Sequence, residues 1–210
     1  MDNNTLLQII ILAPPILLAI TFHEFCHGYV AYRLGDPTAK MAGRLTLNPL
    51  RHLDLMGTLV FFITRMIGWA KPVPVDFRNL RNPHRDMFWV ALAGPAANIF
   101  LAWISALVFS QLRAMITNSA FSLQVMVPIL LMARVSIQIN IGLAVFNLIP
   151  VPPLDGGRIL TGLLPPQQAM RFAQVERYGV LILMLLIFTN ATDFILYPVI
   201  NYLTFFFLGT

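Results

Sequence analysis

Two histidines and a glutamate lie close together within a long apolar run. His23, Glu24 and His27 form the pattern His-Glu-x-x-His, and positions 6 to 31 hold no other acidic or basic residue. On a helix, residues four apart share a face, so the two imidazoles can bind one metal ion. Glu24 could take a proton from a water molecule on that ion. The pattern therefore predicts zinc-assisted hydrolysis, in a segment where charged groups are otherwise excluded.

A third ligand is expected from elsewhere in the chain, because catalytic zinc sites commonly have three protein ligands and one open position. Asp155 is the favoured candidate, since it is acidic, follows a proline-rich break, and precedes two glycines that would free its backbone. An aspartate that only forms a turn is the alternative reading of this position. Glu176 is chemically able to bind zinc, but its neighbour Arg177 favours a solvated surface role. One Zn²⁺ per chain is expected.

The composition is that of an integral membrane protein. Of 210 residues, 58% are apolar and 11% are charged, with a mean hydropathy of +0.74, whereas globular domains carry about 25% charged residues. The net charge of +5 does not indicate nucleic-acid binding, because the basic residues flank apolar spans. With Cys26 as the single cysteine, no intrachain disulfide can form.

Apolar runs predict the elements that position the candidate residues. Three clear spans run at about 6–32, 87–112 and 123–148, and two prolines should bend the first. The interrupted stretch 55–69 favours a re-entrant element, and an amphipathic piece covers 158–175. The tail, 178–208, is either one long tilted helix or a span plus an interfacial piece. We expect an all-α polytopic membrane protein with about four to six transmembrane helices and a small re-entrant extended (β-like) element after the first span.

Basic residues predict the orientation of the spans. Nine Lys and Arg lie in 33–85, whereas a single arginine lies between the second and third spans. The basic side should be cytoplasmic. The first and third spans then both end on that side, which brings His23, His27 and Asp155 to a similar depth.

Five motifs of the chain resemble the core motifs of the site-2 protease family of intramembrane zinc metalloproteases. The resemblance covers about 6–158 and is highly specific, because His-Glu-x-x-His and Leu-Asp-Gly occur in this order on membrane spans. The motifs are His23-Glu24-Phe25-Cys26-His27-Gly28, Asn48-Pro49-Leu50-Arg51-His52, Gly68-Trp69-Ala70-Lys71-Pro72-Val73-Pro74-Val75, Gly94-Pro95-Ala96-Ala97-Asn98 and Asn147-Leu148-Ile149-Pro150-Val151-Pro152-Pro153-Leu154-Asp155-Gly156-Gly157. The chain is similar to the compact subgroup without PDZ or cystathionine-synthase-like modules.

The resemblance implies a role for each matching residue. His23, His27 and Asp155 match the zinc ligands. Glu24 matches the catalytic base. Asn147 matches an asparagine placed near the substrate carbonyl, where its amide could stabilise the oxyanion.

Candidate substrate-binding residues lie in two places. The segment Lys71, Pro72, Val73, Pro74 and Val75 is held extended by its prolines and could present an unpaired strand edge. It matches a family element thought to pair with an unwound substrate by strand addition. Asn98 is either an interhelical hydrogen-bonding residue or a further residue of the site.

Three polar residues of the third span need a separate account. Asn140 and Gln138 are expected to be packing groups. Arg134 lies near the middle of the span, where an arginine should pair or face a cavity.

The expected activity is that of a zinc-dependent intramembrane endopeptidase, which cleaves within or at the edge of a substrate transmembrane helix. The expected partners are a transmembrane-protein or membrane-peptide substrate and the lipid bilayer, without nucleic acid; the oligomeric state is left open. The location implied is the cytoplasmic (inner) membrane, multi-pass, with the site towards the cytoplasm. A single domain, 1–210, would hold a catalytic core at about 6–160 and C-terminal helices at about 165–210.

Two other functions fit the zinc motif. A zinc peptidase could act on soluble or periplasmic peptides, but the cytoplasmic-side depth of the motif argues against this. A zinc transporter or sensor would not need Glu24, and transporters need polar groups along a pathway, whereas the spans show one polar cluster.

Overall fold

The computed structural model describes residues 3–57, 59, 70–116, 119, 120 and 122–209 of this chain, and the regular elements of this described part are helices apart from one isolated β-bridge. A π-helical turn, Ser122–Met126, leads into α4, and short 3-10 turns occur at Pro49–Arg51 and Phe77–Asn79. In chain order the α-helices are α1 (Asn3–Arg33), α2 (Thr38–Met41), α3 (Pro83–Met115), α4 (Val127–Asn147), α5 (Asp155–Leu163), α6 (Pro166–Ala173), α7 (Glu176–Phe188) and α8 (Ala191–Leu208).

Three of the described helices are long and apolar enough to cross a membrane. They are Leu7–Arg33, Pro83–Met115 and Ser122–Asn147, which confirms the three clear spans that the sequence predicts. At most 33% of the most apolar window of any span is buried, so most of each apolar surface is available to lipid. The protein is therefore an all-α membrane protein.

The three long helices pack against one another and carry the site between them. α3 contacts both α1 and α4, and α1 also contacts α4. Ala102 and Ala106 of α3 meet Ile137 and Ile141 of α4 in one buried cluster. Small side chains at such a contact let two membrane helices approach closely. The short helix α5 packs on α3, which places its first residue beside the long helices.

The C-terminal part differs from the simplest expectation. The tail is two helices, which excludes the alternative of one long tilted helix. Asn190 adopts a left-handed conformation (φ 54°) between α7 and α8 and separates them. The amphipathic piece expected at 158–175 forms two helices, α5 and α6, separated at consecutive prolines that cannot continue a helix. The stretch predicted to be re-entrant, 55–69, lies largely outside the described residues.

The segment Lys71–Val75, called the extended segment below after the shape that its prolines predict, lies outside any helix, and no strand ladder forms in the described part of the chain. A single antiparallel bridge pairs Leu53 with Ala70, and the Lys71 N–H donates to the His52 carbonyl at 3.0 Å. The buried Arg44 guanidinium donates to the Lys71 carbonyl at 2.6 Å. One end of the expected edge is thus already paired within the chain.

Asp36 fixes the end of this extended segment to the end of α1. Its carboxylate accepts hydrogen bonds from the Asp76 N–H at 2.8 Å and the Asn79 side chain at 3.0 Å. Burial alone would raise the pKa of Asp36, but hydrogen bonds from Thr38, Asn79 and Asp76 outweigh burial and lower it. The ionised carboxylate therefore holds the segment against α1.

Candidate metal centre and active site

Helix α1 presents His23 and His27 one turn apart on its buried face. Their side chains lie at positions i and i+4, so both rings point in the same direction. Both residues are buried, and their Nε2 atoms are 2.9 Å apart. Two ring nitrogens at this distance can bind one ion between them.

Asp155 reaches the same point from a distant part of the chain. It is the first residue of α5, after the proline-rich turn that follows α4. Its Oδ2 lies 3.2 Å from the Nε2 atoms of both His23 and His27. Among the described residues, these three form the one cluster of potential metal ligands. Glu176, the alternative third ligand, is exposed at the start of α7.

Hydrogen bonds on the far side of each imidazole determine which nitrogen carries the proton. His27 Nδ1 is 2.6 Å from the Val90 carbonyl oxygen, which can only accept. His23 Nδ1 is 2.6 Å from Asn98 Oδ1, which also only accepts. Each neutral imidazole therefore carries its proton on Nδ1 and directs the lone pair of Nε2 towards Asp155.

Two lone pairs and a carboxylate oxygen that face one another fit a divalent cation. Asp155 Oδ2 is buried and has no hydrogen-bond donor in the described part of the chain, an arrangement that is costly unless a positive group satisfies it. Tetrahedral zinc with bonds of about 2.0–2.1 Å sets its ligand atoms about 3.3 Å apart. The separations here are 2.9 and 3.2 Å.

Asn98 lies behind His23 and supports it. The residue is fully buried; its amide nitrogen donates to Asn140 Oδ1 at 2.8 Å and to the Ala19 carbonyl at 3.3 Å. These donations fix the amide orientation, so Oδ1 faces His23. Asn140 in turn donates to the Ser136 carbonyl at 2.8 Å. Its position favours the interhelical alternative for Asn98 over direct contact with substrate, which needs accessible surface.

We expect Asn98→Leu to weaken zinc binding by about 10–100-fold, the usual effect of losing a partner that orients a metal-binding histidine. The reason is that His23 Nδ1 loses its acceptor and the ring loses its fixed tautomer. The measurement is zinc retention against a competing chelator.

Ser136→Ala is the matched control, because Ser136 belongs to the same buried network but is three hydrogen bonds away from His23 along it. It should retain zinc nearly as wild type does. Equal retention by Asn98→Leu and wild type would contradict the supporting role.

Gly94 allows α3 to pass directly over the two histidines. A Cβ at this position would overlap ring atoms of both His23 and His27. A side chain here would therefore displace either the rings or the helix. Gly94 and Asn98 are four residues apart, so one face of α3 supplies both the space and the hydrogen bond.

We expect Gly94→Ala to abolish stoichiometric zinc binding while the membrane helices remain folded. The added methyl group would occupy the space of the imidazoles, although alanine is the better helix former by about 1 kcal/mol. Zinc content and far-ultraviolet circular dichroism measure the two effects.

Gly142→Ala is the control for this change. A Cβ on Gly142 would meet Ile200 at 4.0 Å, an ordinary contact. The control should keep its zinc. Full zinc occupancy in Gly94→Ala would show that the close approach is not required.

The two glycines after Asp155 serve packing rather than the backbone freedom expected from the sequence. Both lie within α5, and neither has a left-handed conformation. A Cβ on Gly156 would overlap the carbonyls of Leu148 and Ile149, and one on Gly157 would overlap Pro152. The turn after α4 therefore folds directly onto the start of α5, which directs Asp155 at the histidines.

Glu24 is half-buried beside this cluster and contacts the extended segment. Its Oε2 accepts a hydrogen bond of 2.7 Å from the Val73 N–H. The Val73 side chain is buried and lies next to Gly28 of α1. The expected base and the expected substrate-binding segment are thus joined directly, a contact that the sequence did not predict.

Asn147 is half-buried at the end of α4, and its amide nitrogen donates to the Leu143 carbonyl at 2.9 Å. The oxyanion role remains a prediction. The sequence missed the Val90 carbonyl as the partner of His27, because a backbone acceptor leaves no signal in residue types.

Comparisons with known proteins point to one family. Residues 111–189 match Peptidase family M50. YwhC of Bacillus subtilis (strain 168), provisionally named a zinc metalloprotease, is 39% identical over 188 residues, which cover 89% of this chain and 84% of that protein.

More distant relatives carry the same kind of name. Rip2 of Mycolicibacterium smegmatis, also provisionally named a zinc metalloprotease, is 31% identical over 84% of this chain and 66% of its own length. Rip2 of Mycobacterium tuberculosis (strain H37Rv) is 27% identical over 81% of this chain and 63% of its own length. No solved structure matches the chain significantly. The similarity to YwhC and the family match show that the chain belongs to peptidase family M50, the site-2 proteases, and is a zinc metalloprotease; its apolar helices and its cluster of potential ligands are consistent with this.

Proposed function

We propose that the protein hydrolyses a peptide bond within, or at the edge of, a transmembrane segment of its substrate. One observation carries the proposal: the cluster of His23, His27 and Asp155 is buried among helices that are long and apolar enough to span a membrane. His23 lies ten residues, or about 15 Å, before the end of α1. A catalytic centre at this depth suits a substrate that is itself in the bilayer.

We assign the zinc ligands to His23, His27 and Asp155, and the general base to Glu24. Zinc bound there would lower the pKa of a water molecule and polarise the substrate carbonyl. Glu24 accepts the proton of the attacking water and returns it to the leaving amine. The Val73 N–H holds one oxygen of Glu24, which leaves the other free for the proton. Asn147 is proposed to stabilise the oxyanion.

The extended segment is proposed to align the substrate beside Glu24. In the extended conformation, residues 71, 73 and 75 would direct their peptide groups to one edge, whereas Pro72 and Pro74 offer no N–H to the other. On the first edge, the His52 carbonyl accepts a hydrogen bond from the Lys71 N–H, and the Glu24 carboxylate accepts one from the Val73 N–H. The Val73 carbonyl and the Val75 N–H have no hydrogen-bond partner among the described residues, so a substrate strand can pair there.

The membrane arrangement follows from the same chemistry and from the charge distribution. We infer a cytoplasmic-membrane location with the site towards the cytoplasm, because the basic residues cluster at that end of α1 and α3. We also infer one catalytic domain over 1–210, four to six spans among which α7 and α8 would be counted, and a re-entrant extended element after α1. Release of a membrane-held signalling protein, or clearance of a membrane remnant, fits such an activity.

The test compares two substrates with the same scissile sequence. Purified protein in lipid vesicles is given a single-span transmembrane reporter or a soluble peptide. We expect kcat/KM to be at least about tenfold higher for the reporter and cleavage of both to stop on zinc removal. A preference for the soluble peptide would overturn the intramembrane assignment.

A further inference from the structure

Arg134 and Gln138 form an exposed polar stripe on α4 that the catalytic site does not use. The two residues are four apart, so they share one face of the helix, and both are exposed. Ala133, Ser136 and Ile137 are buried and face the other helices instead. The expectation that Gln138 packs internally is therefore wrong, whereas Asn140 does pack internally.

This stripe lies near the middle of the membrane span. Arg134 is 12 residues from Ser122 and 13 from Asn147, the two ends of the span. At 1.5 Å per residue these distances are about 18 and 20 Å. The hydrocarbon core is about 30 Å thick, so the backbone of Arg134 lies close to the bilayer centre. An arginine in lipid at that depth costs free energy and calls for a partner.

The described part of the chain does not supply that partner. No ion pair or hydrogen bond joins Arg134 to any described residue. The three spans contain two acidic residues, Glu24 and Asp86. Glu24 is held by the Val73 N–H, and Asp86 is buried and accepts the Asn82 N–H at 2.9 Å.

We propose that the Arg134–Gln138 stripe is a docking surface for the transmembrane helix of another protein, one that carries a carboxylate near the bilayer centre. The carboxylate pairs with the guanidinium and so removes the cost of an isolated charge in lipid. Gln138, one turn away, adds an interhelical hydrogen bond of the kind that joins membrane helices. The apolar side chain of Leu131, which is 39% exposed and lies seven residues before Gln138 on the same face, extends the contact surface along α4.

A second copy of this chain is the less suitable occupant. In a two-fold dimer across the stripe, Arg134 would face Arg134, and like charges in lipid repel. In a less symmetric pair, both acidic residues of the three long spans are already engaged, and Asp193 stands at the start of α8 rather than at its centre. Charge complementarity therefore favours an acidic helix from a different protein.

The experiment measures energy transfer in phosphatidylcholine vesicles between the full chain and synthetic transmembrane peptides. The peptides are leucine-rich and differ at one central position, which is Asp, Leu or Lys. The chain carries Glu24→Gln, which prevents cleavage, so the outcome does not depend on the proposed function. We expect the Asp peptide to bind about tenfold more tightly than the Leu peptide.

Variants of the stripe decide the result. Arg134→Leu should remove the preference for the Asp peptide, and Arg134→Asp should transfer it to the Lys peptide. Arg113→Leu, which removes an exposed arginine at the end of α3, is the matched control and should keep the preference. Equal binding of the Asp and Leu peptides, or a preference that survives Arg134→Leu, would overturn the proposal. The proposal would also be overturned if the chain associated with itself through Arg134 and bound the Asp, Leu and Lys peptides equally.

Discussion

Asp155→Ala is expected to lower zinc affinity by at least about 100-fold, since losing a mere supporting partner of a metal ligand already costs about 10–100-fold. Asp155 is the single anionic group of the cluster, at 3.2 Å from both imidazole nitrogens. Without it, two neutral imidazoles would face the doubly charged ion. Hydrolysis should be lost with the metal.

Glu176→Ala is the matched control, because Glu176 was the other candidate for the third ligand. It is exposed at the start of α7. This variant should bind zinc as wild type does. Metal analysis after dialysis against a chelator, with circular dichroism to verify folding, measures both. Stoichiometric zinc in Asp155→Ala, or its loss in Glu176→Ala, would contradict the assigned ligand set.

Features that depend on local patterns could be predicted from the sequence. The three membrane spans follow from apolar length alone, and the helical spacing of His23 and His27 places both rings on one face. The position of Asp155 needed more than spacing, since it lies 128 positions after His27. The sequence favoured Asp155 over Glu176 because a helix break precedes Asp155 and two glycines follow it, a pattern that suits a ligand directed inward.

Features that depend on contacts between helices could not be predicted. Asn98 has the same residue type whether it binds substrate or supports His23, and the difference lies in which helix its amide faces. The glycines after Asp155 were explained by backbone freedom, but close packing on the preceding turn requires them. The break at Asn190 arises from a left-handed conformation. Asparagine can adopt this conformation but also adopts others, so its presence alone does not predict a break.

The second large effect is expected from Glu24→Gln, which should lower the rate of peptide hydrolysis by about 10²–10⁴-fold, the usual contribution of a general base. The amide oxygen of glutamine can still accept the Val73 N–H that glutamate accepts at 2.7 Å. The extended segment should therefore keep its place, and the zinc ligands are unchanged. The variant removes proton transfer while it leaves binding and folding intact.

Zinc content and turnover of the transmembrane reporter, measured on the same preparation, separate Glu24 from the ligands. Glu24→Gln should retain stoichiometric zinc and lose turnover, whereas Asp155→Ala should lose both. Glu176→Gln changes the other glutamate of the chain in the same way and should leave turnover unchanged. If Glu24→Gln retained full turnover, the proton would have to go to another group, and the contact between Glu24 and Val73 would be structural rather than catalytic.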